Sequence, residues 1–224
     1  MGHPSWIPKM PGGKRPEEAA GGAEHAQAVF ARAYADGEAP WDIERPQPEI
    51  VALEEAGAFG PRVLDVGCGT GQTALFLASH GHDVVGVDAV PAAVDEAKRR
   101  AAERHLDICF RAADVLEVLP ELIGRFHAVP DVGFFHALSD EQRVDFAAKL
   151  AGKLAPGGVY AMLCFSERVL GAWGPRRVSE GEIRETFAGP TWVVREIRPA
   201  ELHSAVESMP IVDANLALIE RATQ

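Results

Sequence analysis

The run Val63-Leu64-Asp65-Val66-Gly67-Cys68-Gly69-Thr70-Gly71 restricts this chain more than any other segment. A strand-like stretch leads into three glycines at alternate positions, and a helix-forming stretch from Gln72 to His80 follows. Glycine tolerates positive φ and lets backbone approach a ligand closely, so a strand-to-helix turn of this composition reads as a binding loop. It is not the dinucleotide fingerprint G-x-G-x-x-G, because position 72 is Gln, and it is not a phosphate loop, because no Gly-Lys-Ser/Thr follows. Asp65 beside the turn would repel a pyrophosphate and attract an ammonium or a sulfonium.

The flanking segments alternate in the same way. Strands are predicted at Val84 to Asp88, Ile108 to Ala112, Ala128 to Val132 and Val159 to Phe165, with helices at Pro91 to His105 and Asp140 to Leu154. Apolar strands separated by helices predict a parallel α/β sheet covered on both faces. Ser179 with Glu182 forms a capping box for a helix to Phe187. Trp192 to Ile197 and Val212 to Glu220 predict an antiparallel edge pair, which brings the count to seven strands. Upstream, Ala26, Val29, Phe30 and Ala33 share one helical stripe within Glu24 to Ala35, and Pro48 opens a helix to Phe59. The expected division is a disordered tail at 1–23, an N-terminal helical cap at 24–60 and one α/β domain at 61–224.

Thirty-three acidic against twenty-two basic side chains leave a net charge of −11, which disfavours a nucleic-acid or anionic membrane partner. Cys68, Cys109 and Cys164 form no C-x-x-C pair, so neither a disulfide framework nor a metal site is expected. No stretch has the roughly 18 apolar residues of a membrane span, and a soluble, cytoplasmic protein, monomer or homodimer, is expected.

Two further acids follow the glycine turn at strand ends. Asp88 can accept the hydroxyl protons of a ribose, and Asp114, followed by Val115, can accept from the exocyclic amine of a purine. In this order and spacing the residues resemble the class I S-adenosylmethionine-dependent methyltransferases. The resemblance implies a Rossmann-like, doubly wound seven-stranded sheet with an antiparallel last strand. It also implies S-adenosyl-L-methionine as donor, S-adenosyl-L-homocysteine as product, and no metal. By the same resemblance Asp65, Gly67, Cys68, Gly69 and Gly71 surround the methionine portion, Asp88 and Ala89 meet the ribose, and Asp114 and Val115 meet the adenine. Trp41 is expected as an aromatic wall over the sulfonium.

The acceptor should lie beyond strands four and five. There Asp131-Val132-Gly133-Phe134-Phe135-His136 lacks the N/D-P-P-Y/F sequence of enzymes that methylate nucleic-acid amines. It resembles instead small-molecule enzymes of the thiopurine, thiol and tellurite-resistance methyltransferase group, as do Pro40-Trp41-Asp42-Ile43 and Trp173-Gly174-Pro175-Arg176-Arg177. His136 and Asp131 are the candidate catalytic residues, and Phe135, Trp173, Arg176 and Arg177 the candidate acceptor-binding ones. Sulfur is preferred as nucleophile over oxygen or nitrogen, since a thiol is partly ionised at neutral pH. The competing readings are an NAD(P)-dependent oxidoreductase and a donor-binding module without catalysis.

Overall fold

A computed structural model describes residues 22–37, 39–171 and 174–223. The expected tail falls almost wholly outside them, as does Trp173. Seven strands form one sheet: β1 (Arg62–Val66), β2 (Asp83–Asp88), β3 (Cys109–Ala112), β4 (Phe126–Val132), β5 (Leu154–Phe165), β6 (Trp192–His203) and β7 (Ile211–Arg221). Their order is β3-β2-β1-β4-β5-β7-β6. β1 to β5 pair in parallel, and β7 runs antiparallel to both β5 and β6. The order reverses at β1, between β2 and β4, which puts a ligand crevice at the carboxyl ends of these strands.

The helices are α1 (Gly22–Ala35), α2 (Pro48–Glu55), α3 (Gln72–Ser79), α4 (Pro91–Glu103), α5 (Val115–Val118), α6 (Asp140–Lys153) and α7 (Glu180–Thr186). Because β1 is apolar on both sides, it feeds two cores. Val63 packs with Ile50, Leu75 and Val94, from α2, α3 and α4. Leu64 and Val66 pack with Val115, Phe146 and Ile183, from α5, α6 and α7. α2 therefore belongs to the main core, and only α1 and the segment after it stand outside the layers. The capping box expected at Ser179 is present, and the structure adds a second at Ser139, closed by Gln142.

Two strands run further than their local chemistry predicts. β5 begins directly after α6: Leu154 pairs with Phe126 and Val159 with Ala128, so residues 155–158 bulge opposite His127. Pro156 and the two glycines after it supply that bulge and do not end the strand. β6 passes through Pro199 to His203, which an edge strand tolerates because its outer side needs no donor.

Candidate functional site

The glycine turn closes as its spacing predicts. Gly67, Gly69 and Gly71 have φ of 64°, 53° and 86°, and Gly71 is the N-cap of α3. A Cβ on Gly71 would stand 3.0 Å from Ala97 Cβ and 3.1 Å from Phe110 Cζ, so the turn sits directly on α4 and β3. The Cys68 side chain is buried beside Gly86, where burial raises its thiol pKa, and it acts as packing.

The acids meet the turn through backbone amides. Asp88 Oδ2 accepts from Gly69 N–H at 2.9 Å, and its Oδ1 accepts from Val90 N–H at 2.8 Å. Burial raises the Asp88 pKa, and these two amides oppose the rise. Ala89, between them, is half-buried. Asp65 is buried and accepts from Ala74 N–H at 3.1 Å; burial pushes its pKa up to about 8, with Asp131 and Asp88 adding to the rise. Asp114 is exposed and caps α5 by accepting from Leu116 N–H at 2.7 Å, while Val115 is buried behind it.

A strap over residues 39–47 crosses this site and is tied down by charge. Asp42 accepts from Thr70 Oγ1 at 2.7 Å, and Arg100 of α4 donates to Thr70 Oγ1 at 2.9 Å while lying 3.4 Å from Asp42. Trp41 donates from Nε1 to the Tyr34 hydroxyl at 2.7 Å and meets Phe30 and Tyr34 edge to face. That hydroxyl is 2.5 Å from where a Gly69 Cβ would stand. Tyr34, Thr70 and Arg100 escaped the sequence reading. Tyr34 has the signal of lying four residues after Phe30 on the α1 stripe, whereas Arg100 reads only as part of a basic cluster.

Beneath the strap lies a cavity of about 60 Å³ lined by Trp41, Asp65, Gly67, Gly69 and Val132. On the outer side, between the strap and the β6–β7 hairpin, runs an open groove of about 1470 Å³. Small-molecule sites usually have roughly 300 Å³ or more, so the inner cavity as it stands is too small for a nucleoside, and Tyr34 and Trp41 are among the side chains that narrow it over Gly69. Ligand binding is therefore expected to change the indole emission, and Trp41→Phe to abolish most of that change. An unaltered signal in the parent chain would show the strap already in its bound position.

After β4 the geometry departs from the expected roles. Asp131 is fully buried; its carboxylate accepts from Phe134 N–H at 2.7 Å, Phe135 N–H at 3.0 Å and the Tyr160 hydroxyl at 2.5 Å. In this structure it holds the loop from beneath, with its oxygens engaged by two amides and the Tyr160 hydroxyl, where the sequence suggested a catalytic group. Phe135 is likewise core, with the Arg143 guanidinium 4.7 Å over its ring, and the half-buried neighbour Phe134 faces the turn instead. Phe134 Cβ is 3.1 Å from where a Gly67 Cβ would stand. His136 is 8% exposed and its Nδ1 accepts from Phe165 N–H at 3.2 Å. Burial, with Arg143 and Arg177 nearby, lowers its pKa to about 3.

The two arginines expected at the acceptor are engaged in structure. Arg176 pairs with Asp140 and Glu182, and Arg177 holds the Pro175 and Gly171 carbonyls at 2.7 and 2.9 Å. Arg177 also lies 5.9 Å over the Phe165 ring. Among the described residues no group of three His, Cys, Asp or Glu side chains is placed to hold a metal, and no helix is long and apolar enough to cross a membrane. The fixed glycine turn and the carboxylates around it fit a nucleoside that carries positive charge.

Comparison with known proteins agrees. A methyltransferase domain family matches residues 63–158. The chain is 39% identical to the 2-heptyl-1-hydroxyquinolin-4(1H)-one methyltransferase of Mycobacteroides abscessus, over 81% of this chain and 83% of that one. It is 28% identical to probable thiol methyltransferase 2 of Arabidopsis thaliana, over 88% and 81%. A solved structure described as "Conversion of a Disulfide Bond into a Thioacetal Group during Echinomycin Biosynthesis" is similar at a TM-score of 0.77 and 31% identity, covering 88% of this chain and 92% of the other.

Proposed function

This chain belongs to the S-adenosylmethionine-dependent methyltransferases and methylates a small organic molecule, and we propose that the accepting atom is a thiol sulfur or an acidic hydroxyl oxygen on a flat, largely apolar frame. The observation that carries this reading is the contact between Phe134 and Gly67, which sets the loop after β4 directly against the donor turn. An acceptor resting on Phe134 would have its nucleophile within reach of a methyl group presented at Gly67. The donor supplies an electrophilic methyl on a sulfonium. The chain's own residues then need to hold the two partners in line and exclude water, and orientation of this kind is worth effective molarities of up to about 10⁵–10⁸ M.

In this reading the Gly67–Gly71 turn and Asp65 receive the methionine portion, Asp88 the ribose hydroxyls, and Asp114 with Val115 the adenine. Trp41 and Phe134 wall the methyl group. The acceptor class is supported by two relatives, one named for a hydroxyquinolinone and one for a thiol. Aryl thiols and 1-hydroxyquinolin-4-ones incubated with S-adenosylmethionine should yield S-adenosylhomocysteine and the methylated acceptor by mass spectrometry. Donor binding without turnover of either series would favour the non-catalytic module, and binding of NADH in place of the donor would favour the oxidoreductase.

A further inference from the structure

A backbone N–H can only donate, so the bond from Phe165 N–H forces His136 Nδ1 to be the acceptor nitrogen of its ring. The neutral imidazole then carries its proton on Nε2, and no lone pair is left to take a proton from a substrate. Nε2 has no hydrogen-bond partner among the described residues and lies at Gly133, where a Cβ would come within 3.1 Å of it. Gly133 thus keeps the space at Nε2 open. Phe165 meets the other side of the ring edge to face at 5.1 Å.

The charged groups that act most strongly on this ring are Arg143 and Arg177. Arg143 of α6 is 2% exposed; it donates from Nε to the Phe135 carbonyl at 3.2 Å, and its Nη1 and Nη2 have no hydrogen-bond partner among the described residues. Arg177, which lies 5.9 Å over the Phe165 ring, also acts on the imidazole. The acids that face the same region are already committed: Asp131 to two amides and Tyr160, Glu182 to Arg176 and within 3.6 Å of Arg143, and Asp140 to Arg176. The Cys164 thiol, also nearby, is held protonated by burial.

We propose that His136 is a hydrogen-bond donor and not a general base, and that the acceptor docks already ionised, as a thiolate or an acidic oxyanion, with Nε2–H and the positive field of Arg143 and Arg177 holding it. The proposal rests on the methyl-transfer reading above and names the form of acceptor that the site selects. Burial and the two guanidiniums keep the ring neutral across the physiological range. In the transfer step a lone pair of the anion forms the bond to the methyl carbon. The carbon–sulfur bond breaks, its electron pair stays on sulfur, and no proton moves. An anion and a sulfonium become two neutral groups, a change that a dry pocket favours over water.

The decisive measurement is ¹⁵N NMR of histidine-labelled protein with S-adenosylhomocysteine bound, the His136 signals being assigned by their proximity to Phe165 and by their loss in His136→Gln. The expected pattern is a protonated Nε2, a bare Nδ1 and no titration between pH 5 and 8. A proton on Nδ1, or a midpoint between 6 and 7, overturns the proposal. With aryl thiols of graded acidity, the pH midpoint of kcat/KM should follow the acceptor; one midpoint common to all would mark an enzyme base. His136→Gln, which keeps an N–H, should stay within about tenfold of the parent in kcat/KM, against the roughly 10²–10⁴-fold loss expected on removing a general base. His136→Leu should raise KM more than it lowers kcat. The NMR arm needs no acceptor, so it reads His136 separately from the acceptor class, which turnover of the thiols and hydroxyquinolones tests.

Discussion

Asp88→Ala is expected to weaken S-adenosylhomocysteine binding by about a hundredfold or more, read by isothermal titration, because a hydrogen bond to a charged group is worth about 1.5–3 kcal/mol and several converge on this side chain. Its two oxygens accept from Gly69 N–H and Val90 N–H, so the carboxylate fixes both the glycine turn and the start of α4. Each oxygen keeps a further lone pair for a ribose hydroxyl. Removing the group deletes the ligand contact and also releases the turn that approaches the rest of the ligand. Asp88→Asn, which keeps one acceptor oxygen, should lose less. Asp114→Ala should lose least of the three, since Asp114 is exposed and, among the described residues, its side chain holds Leu116 N–H alone. Unchanged affinity in Asp88→Ala would mean that the nucleoside lies elsewhere.

Donor affinity should also climb as pH rises toward 8. Burial holds the Asp65 carboxyl at about 8 and the Asp131 carboxyl at about 7, well above the ordinary carboxylate range. At neutral pH the donor-free chain therefore carries a largely protonated Asp65, and a sulfonium and an ammonium placed near it favour the ionised form. Binding then releases up to one proton, and the affinity gain is at most about tenfold per pH unit. Titrations in buffers of different ionisation enthalpy should show release near pH 7 and little at pH 9, and Asp65→Asn should abolish the release. For folding the sign is opposite to the common one. Both folded pKa values lie above those of the unfolded chain, so the stability these carboxyls contribute is full below pH 4 and is lost as pH rises through about 7 to 8. The donor-free chain should melt at a lower temperature at pH 8 than at pH 6, and the stabilisation by donor should grow over the same interval. A donor affinity independent of pH would remove Asp65 from the site.

Much of the fold is legible along the chain because its signals are local. The strand-to-helix turn at 63–71, the helix start at Ser139 and the strand ends at Asp88 and Asp114 each follow from a few neighbouring residues. The extents of β5 and β6 are not legible in this way. Pro156 and Pro199 look like breaks until the bulge opposite His127 and the edge position of β6 are known. Asp131 and His136 were recognisable as polar residues at the end of a central strand, but nothing in Asp131-Val132-Gly133-Phe134-Phe135-His136 distinguishes a base from a brace.

That distinction is made across the sheet. Asp131 is committed by Tyr160, 29 residues on, and the His136 tautomer by Phe165, also 29 residues on. The strap over the donor turn is held by Asp42 and Arg100, 58 residues apart. The order of strands and helices, the conformation of the glycine turn and the positions of the acids are properties of short segments, settled by backbone sterics and hydrophobic period. Which proton a ring carries, which carboxyl is ionised and which cavity is closed depend on burial and on partners that reach the site only after the sheet has assembled. Those features therefore belong to the folded molecule and leave no mark in the neighbouring residues.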